Sequence, residues 1–254
     1  MTLVRTERPA QGILRLSLTR PGKLNTFDRE MCDTLSDELD RALLDTGVRA
    51  IILSGSGGHF SAGGDIDWMR SLSADALRAY HRDIVPILRG LAAAAKPTIA
   101  VLEGVCAGGA GGFALACDYV VMGEAARFGV PFLRIGLVPD MGVGYLLARR
   151  IGYRQTFRLV AESRIVRGAE ARTLGLADFV VEDNQVQQRA LSLAVELAAL
   201  PPQAYSRMKA LLARTAPDLD AFLADEIEAQ SHCLGAPEFV EGCAAFLEKR
   251  PAHF

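Results

Sequence analysis

Two glycine-bearing loops and one aspartate are the residues whose types and spacing could do chemistry. The first loop is Phe60-Ser61-Ala62-Gly63-Gly64-Asp65-Ile66. The second follows the apolar run Thr98–Leu102 and reads EGVCAGGAGGFALACD from Glu103 to Asp118. Its glycines, Gly104, Gly108, Gly109, Gly111 and Gly112, lead into Phe113-Ala114-Leu115-Ala116, a pattern of strand, tight turn and buried helix. Backbone N–H groups at a helix start have no partner inside the helix and sit at the positive end of its dipole. Glycine lets a ligand approach such a backbone closely. The segment therefore suits an anion, or a carbonyl oxygen that gains negative charge, although the same glycines also serve plain close packing. Donors from the two loops, Ser61–Gly63 and Gly108–Ala110, form an oxyanion hole if the fold brings them together, and each such donor is worth about 3 kcal/mol in the transition state. The aspartate is Asp140, in Val138-Pro139-Asp140-Met141-Gly142-Val143. In apolar surroundings its pKa rises, which suits a general base. It could equally cap a helix over 142–150, and on these residues alone the cap is the simpler reading.

Other chemistries find no support. No Lys-Ser or Lys-Thr follows the glycines and no G-x-G-x-x-G is present, so a nucleotide loop is weak. His59 stands where a nucleophile elbow needs glycine before Ser61. His59, His81, His232 and His253 show no metal-ligand spacing and read as surface or loop histidines. Cys32, Cys106, Cys117, Cys233 and Cys243 form an odd, scattered set, which predicts reduced thiols, all five of them buried, in a cytoplasm. The net charge of −2 recommends neither nucleic acid nor an anionic membrane as partner. The apolar runs are too short to span a bilayer, and the N-terminal residues lack a signal-peptide core.

The elements that must position these residues are legible in outline. With 254 residues, half of them hydrophobic, the chain can bury a sizeable core. Ile13–Leu18, Ala50–Ser54, Thr98–Leu102, Asp118–Met122 and Asp178–Val181 read as strands, and Arg127–Pro131 as extended. Phe27–Leu44 has Met31, Leu35, Leu39 and Leu43 on one helical face and acidic residues opposite. Further helices are predicted over 73–91, with an interruption at Pro86, and over 144–150, 154–161 and 186–200. From Pro201 onward only helices are predicted. The order implies a layered α/β core over 1–200 and a helical region over 201–254. In that tail Leu211, Leu212, Phe222, Leu223, Ile227, Phe239, Val240 and Phe246 need burial, against the core or another subunit.

These residues, taken together, resemble the crotonase, or enoyl-CoA hydratase/isomerase, superfamily. The matching pieces are Arg20-Pro21 with Asn25 and Phe27, Phe60–Ile66, Gly104–Asp118, Phe128 with Pro131, Ile135–Pro139 and Phe246–Arg250, in the family's order. The resemblance implies an α/β spiral of ββα turns with a C-terminal helical trimerisation region, as a homotrimer or dimer of trimers. It implies acyl-CoA substrates, with CoA part of the substrate and no separate cofactor. It places the oxyanion donors at the N–H groups of Ala62 and Gly109. It puts Lys23, Leu24, Ala62, Gly63, Gly64, Asp65 and Ile66 along the bound CoA ester, and Lys249 within reach of CoA phosphates.

The chain departs from the family's hydratases where they carry two glutamates. Those positions are Gly112 and Phe132 here, and neither can orient water or shuttle a proton. Hydratase activity is therefore expected to be weak or absent. Asp140 falls where some members without the glutamate pair keep an aspartate, among them dienoyl-CoA isomerases, ring-epoxide isomerases of phenylacetyl-CoA breakdown and 4-chlorobenzoyl-CoA dehalogenases. Dienoyl isomerases also keep a glutamate at the Phe132 position, so the ring-epoxide isomerases fit best. A dehalogenase would want a further base, for which His81 is available. The resemblance thus implies a CoA-thioester isomerase with Asp140 as base, in a dry pocket shaped by Phe132, Met141 and Val143. The alternatives are a hydratase, an aryl-CoA dehalogenase or a catalytically silent CoA-ester binder. Some relatives bind RNA through a lysine-rich helix, but the acidic helix over 28–45 argues against that here.

Overall fold

A computed structural model describes residues 2–213 and 219–254. The chain begins with β1 (Val4–Ala10), β2 (Ile13–Leu18), α1 (Arg29–Leu44), β3 (Ala50–Gly55), α2 (Ile66–Arg70), α3 (Ala74–Asp83) and α4 (Val85–Ala92). It continues through β4 (Thr98–Leu102), β5 (Val105–Ala107), α5 (Ala110–Ala116), β6 (Tyr119–Gly123) and β7 (Arg127–Gly129). A short 3-10 turn, Phe132–Ile135, precedes α6 (Val143–Ile151), α7 (Tyr153–Ala161), β8 (Ile165–Arg167), α8 (Gly168–Leu174), β9 (Phe179–Val181) and α9 (Val186–Ala198). The tail is α10 (Pro202–Ala213), α11 (Leu219–Leu234) and α12 (Pro237–Glu248). None of the described helices is long and apolar enough to cross a membrane.

The main sheet has the order β1-β2-β3-β4-β6-β9, and every pairing after β1–β2 is parallel. Both faces of its inner strands are buried, as parallel strands require. On β3, Ile51 and Leu53 face the core under α1, α4 and α5, while Ala50 and Ile52 face α9. β1 was not legible in the sequence: it is a polar edge strand with Pro9 and charged residues outward, the usual protection of an open edge. The predicted helix over 73–91 is two helices, α3 and α4, meeting at Ile84 just before Pro86.

A second, smaller sheet, β5-β7-β8, lies beside the first. Isolated bridges join Phe27 to Gly64 and Ser61 to Cys106. The second of these bridges brings the two glycine loops side by side. Asn25 locks the first loop from below: its amide donates to the Ser56 and His59 carbonyls at 2.8 Å each, and its own carbonyl accepts from Ser61 Oγ at 2.7 Å.

The helical tail is anchored to this core. Asp118 accepts from Thr98 N–H and Thr98 Oγ1 at 2.9 and 3.1 Å, from Tyr205 OH at 3.2 Å and from Lys209 Nζ at 2.9 Å. Both charges of the Lys209–Asp118 pair are largely buried, and breaking such a pair leaves one of them without a partner. Lys209→Met is expected to cost about 2 kcal/mol, read as a lower midpoint in urea unfolding. The rest of the tail keeps much of its apolar surface open. Leu212, Leu223, Ile227, Phe239, Val240 and Phe246, which the sequence marked as needing burial, are exposed on the single chain.

Candidate active site

The two glycine loops, α3 and the turn before α6 enclose a cavity of about 260 Å³. Among its lining residues are Phe27, Ala62, Gly64, Ile66, Met69, Tyr80, His81, Gly109, Phe132, Asp140 and Met141. Phe132 and Met141 are buried in its wall, whereas Val143 is buried and does not line it. Of the residues expected along the CoA ester, Ala62, Gly64, Ile66 and Gly109 line the cavity, and Lys23, Leu24, Gly63, Asp65 and Lys249 do not.

Asp65 and Gly63 have structural tasks. The Asp65 carboxylate caps α2 through Trp68 N–H at 3.2 Å and binds Lys23 Nζ at 2.7 Å; that contact first, and the cap as well, hold its pKa below the usual range. Gly63 has φ +97°, and a Cβ there would stand 2.7 Å from the Ala107 carbonyl.

The oxyanion donors need one correction. Ala62 N–H donates to the Leu24 carbonyl at 2.9 Å, so it cannot serve a substrate oxygen. In the Phe27–Gly64 bridge, Phe27 N–H donates to Gly63 O and Asp65 N–H donates to Phe27 O. Gly64 N–H takes no part in that exchange, and like Gly109 N–H it has no protein partner among the described residues. Of the glycines on the cavity wall, Gly64 and Gly109 therefore keep free N–H donors, whereas Gly108 N–H donates to the Gly129 carbonyl at 3.0 Å. Sequence spacing could not choose between Ala62 and Gly64, because the choice depends on where the Leu24 carbonyl lies.

Asp140 does not cap a helix. α6 begins at Val143, with Gly142 as its N-cap and no side-chain cap. Instead Asp140 Oδ1 is buried with no hydrogen-bond partner among the described residues. It lies 3.1 Å from where a Cβ on Gly109 would stand, beside the residue that carries the second of these donors. The backbone turns sharply to put it there: Met141 and Gly142 have φ +50° and +70°. For Met141 that is a strained value of the kind that collects at functional sites. Burial raises the Asp140 pKa above the ordinary carboxylate value, and His81 opposes the rise only in part.

His81 is the second correction, since it is not a bystander on a loop. On α3 its Nε2 stands 3.2 Å from Asp140 Oδ2. Tyr80 beside it packs edge-on against Trp68, with ring centroids 4.8 Å apart, so Trp68 supports the cavity wall from behind. The two partners are 59 residues apart, and no local pattern joins them. His59 is also internal to the loops, with Nδ1 accepting from Val105 N–H at 3.2 Å.

The structure gives a physical reason why position 112 carries no side chain. A Cβ on Gly112 would stand 2.0 Å from the Met141 carbonyl oxygen. The Asp140–Gly142 turn occupies the space where a side chain at 112 would start.

The sequence matches the enoyl-CoA hydratase/isomerase family model over residues 8–254. The chain belongs to the enoyl-CoA hydratase/isomerase family. It is 31% identical over 249 residues to the 1,2-epoxyphenylacetyl-CoA isomerase of Escherichia coli, covering 96% of this chain and 95% of that one. It is 32% identical over 246 residues to the 2,3-dehydroadipyl-CoA hydratase of the same organism, with the same coverage. The crystal structure of an enoyl-CoA hydratase from Bacillus anthracis superposes with a TM-score of 0.95 at 25% identity, covering 99% of this chain and 98% of that one. The enoyl-CoA hydratase/isomerase family thus accounts for the whole fold, and its members are acyl-CoA enzymes. Among this chain's relatives hydratase names outnumber isomerase names.

Proposed function

We propose that this enzyme isomerises CoA thioesters, with Asp140 as its single proton carrier. The observation that carries the reading is the buried, unpartnered Asp140 Oδ1 over Gly109. The N–H groups of Gly64 and Gly109 hold the thioester oxygen. With a 3-enoyl-CoA, Asp140 Oδ1 removes a proton from the carbon next to the carbonyl. The C–H electron pair moves into the enolate, whose charge rests on the held oxygen. As the enolate collapses, the double bond moves into conjugation and Asp140 returns the proton to the far carbon. One carboxylate suffices for this. Adding water needs further groups to orient it, and Gly112 and Phe132 supply none. The apolar wall of Phe27, Phe132 and Met141 suits a hydrocarbon or aromatic acyl group, including a strained ring that opens along the same electron path. The exposed apolar faces of α10–α12 support a homotrimer or a dimer of trimers.

The test is conversion of a 3-enoyl-CoA to its 2-enoyl isomer, with crotonyl-CoA hydration run beside it. Isomerisation without hydration is expected, and vigorous hydration alone overturns the reading. Light scattering checks the assembly: three or six times the 27.3 kDa chain is expected, and a monomer refutes it. One observation favours a second reading, aryl-CoA dehalogenation. The His81 contact supplies the base that chemistry needs after Asp140 has displaced halide from the ring. Chloride release from 4-chlorobenzoyl-CoA would establish it in place of isomerisation.

A further inference from the structure

His81 Nδ1 lies 2.8 Å from the Leu77 carbonyl on its own helix. A carbonyl only accepts, so Nδ1 carries a hydrogen. A neutral imidazole with its hydrogen on Nδ1 has a bare lone pair on Nε2. That atom faces Asp140 Oδ2 at 3.2 Å, and an ionised carboxylate offers only lone pairs in return. The contact is attractive only with a proton in it: an imidazolium donating to a carboxylate, or a carboxylic acid donating to a neutral imidazole. We propose that His81 and Asp140 form a pair holding one proton in their contact, in which His81 is the positioning residue that fixes the base over Gly109 and favours its ionised form.

The geometry divides the labour between the two carboxylate oxygens. Oδ2 is held by His81, while Oδ1 is buried, without a partner among the described residues, and beside Gly109. During turnover Oδ1 takes and returns the substrate proton, and the proton between Oδ2 and Nε2 stays within the pair, so the cycle balances without a further donor.

The groups around the pair leave its titration distinct. On α3, Tyr80 packs edge-on against His81 at 5.7 Å. The Tyr80 hydroxyl meets the Cys32 thiol of α1 at 3.3 Å, and burial pushes both pKa values well up, so both stay neutral. Arg29 of α1 lies over the Tyr80 ring and is paired with Asp83, and Asp28 is paired with Arg20. Arg134, on the 3-10 turn, is a further charged residue lining the cavity. No residue of α4 or α6 lines the cavity. Burial raises the Asp140 pKa and His81 lowers it, so losing the imidazole moves ionisation to higher pH.

The inference rests on Asp140 being the base, and two readouts separate the two claims. The first needs no substrate: the Asp140 carboxyl resonance in a carbon-13 NMR titration, assigned with Asp140→Asn, followed in the wild type and in His81→Gln. The second is the pH profile of isomerisation in His81→Gln. The pair requires the carboxyl midpoint and the acid limb of the profile both to move to higher pH in His81→Gln, with at least about tenfold lower rate at a pH on the wild-type acid limb. An unmoved midpoint, or a lower plateau on an unmoved limb, overturns the pair while leaving Asp140 as the base. Undiminished isomerisation by Asp140→Asn overturns the base itself, and with it the role given to His81.

Discussion

Replacing Asp140 by asparagine is expected to lower the isomerisation rate by roughly 10²- to 10⁴-fold, the usual worth of a positioned acid–base group. The amide has the shape of the carboxylate and keeps the cavity wall intact, but it cannot take a proton from carbon. The loss should fall on kcat, because Asp140 acts on the reacting carbon and holds no other part of the ester. The same substitution should not harm the fold. Because burial raises the Asp140 pKa, its contribution to stability is present at low pH and is lost as pH rises through the folded value. At neutral pH an ionised carboxylate with one buried, unpartnered oxygen therefore weighs against folding. Relief of about 1 kcal/mol, set against loss of the part-exposed His81 contact worth up to about 1 kcal/mol, leaves Tm unchanged or raises it by at most roughly 2–4 °C for a chain of this size. A dead enzyme with an unchanged or higher Tm is the signature of a group kept for chemistry. A dead enzyme with a much lower Tm would mean instead that Asp140 holds the turn together.

Gly112→Glu is expected to unfold the site instead of creating a hydratase. On sequence grounds the change restores a missing catalytic carboxylate. In the folded chain its Cβ would stand 2.0 Å from the Met141 carbonyl oxygen and 2.8 Å from the Met141 Cβ. The nearest of these is backbone in a strained turn, and cannot swing aside as a flexible side chain does. Overpacking of this kind costs about 3 kcal/mol or more, which corresponds to a drop of roughly 6–12 °C in Tm. Because the same turn carries Asp140, isomerisation should fall as well. Thermal unfolding and parallel assays check both effects. A stable Gly112→Glu protein that hydrates crotonyl-CoA would show that the turn yields easily and that only the carboxylate was missing.

Local pattern made much of this molecule legible in the sequence. The buried strands around Ile51, Ile99 and Val120 are continuous apolar runs, and the glycine stretch into α5 announces a close approach of backbone to something. Asp140 was visible because a charged residue in an apolar turn is unusual. What the sequence withheld depends on long-range placement. β1 carries too little apolar surface to register as a strand. His81 looks like any polar residue on an amphipathic helix until the fold sets it against Asp140. Ala62 and Gly64 are both plausible donors until the Leu24 carbonyl takes one of them. Gly112 reads as a lost glutamate, whereas in three dimensions it is a required gap beneath Met141.

The most direct test of Asp140 as a lone proton carrier is the product mass after a 3-enoyl-CoA is turned over in heavy water. The predicted product is a 2-enoyl-CoA carrying at most one deuteron per turnover and no added water, formed by the wild type and not by Asp140→Asn. A 3-hydroxyacyl-CoA as the main product, formed equally by both proteins, would contradict it.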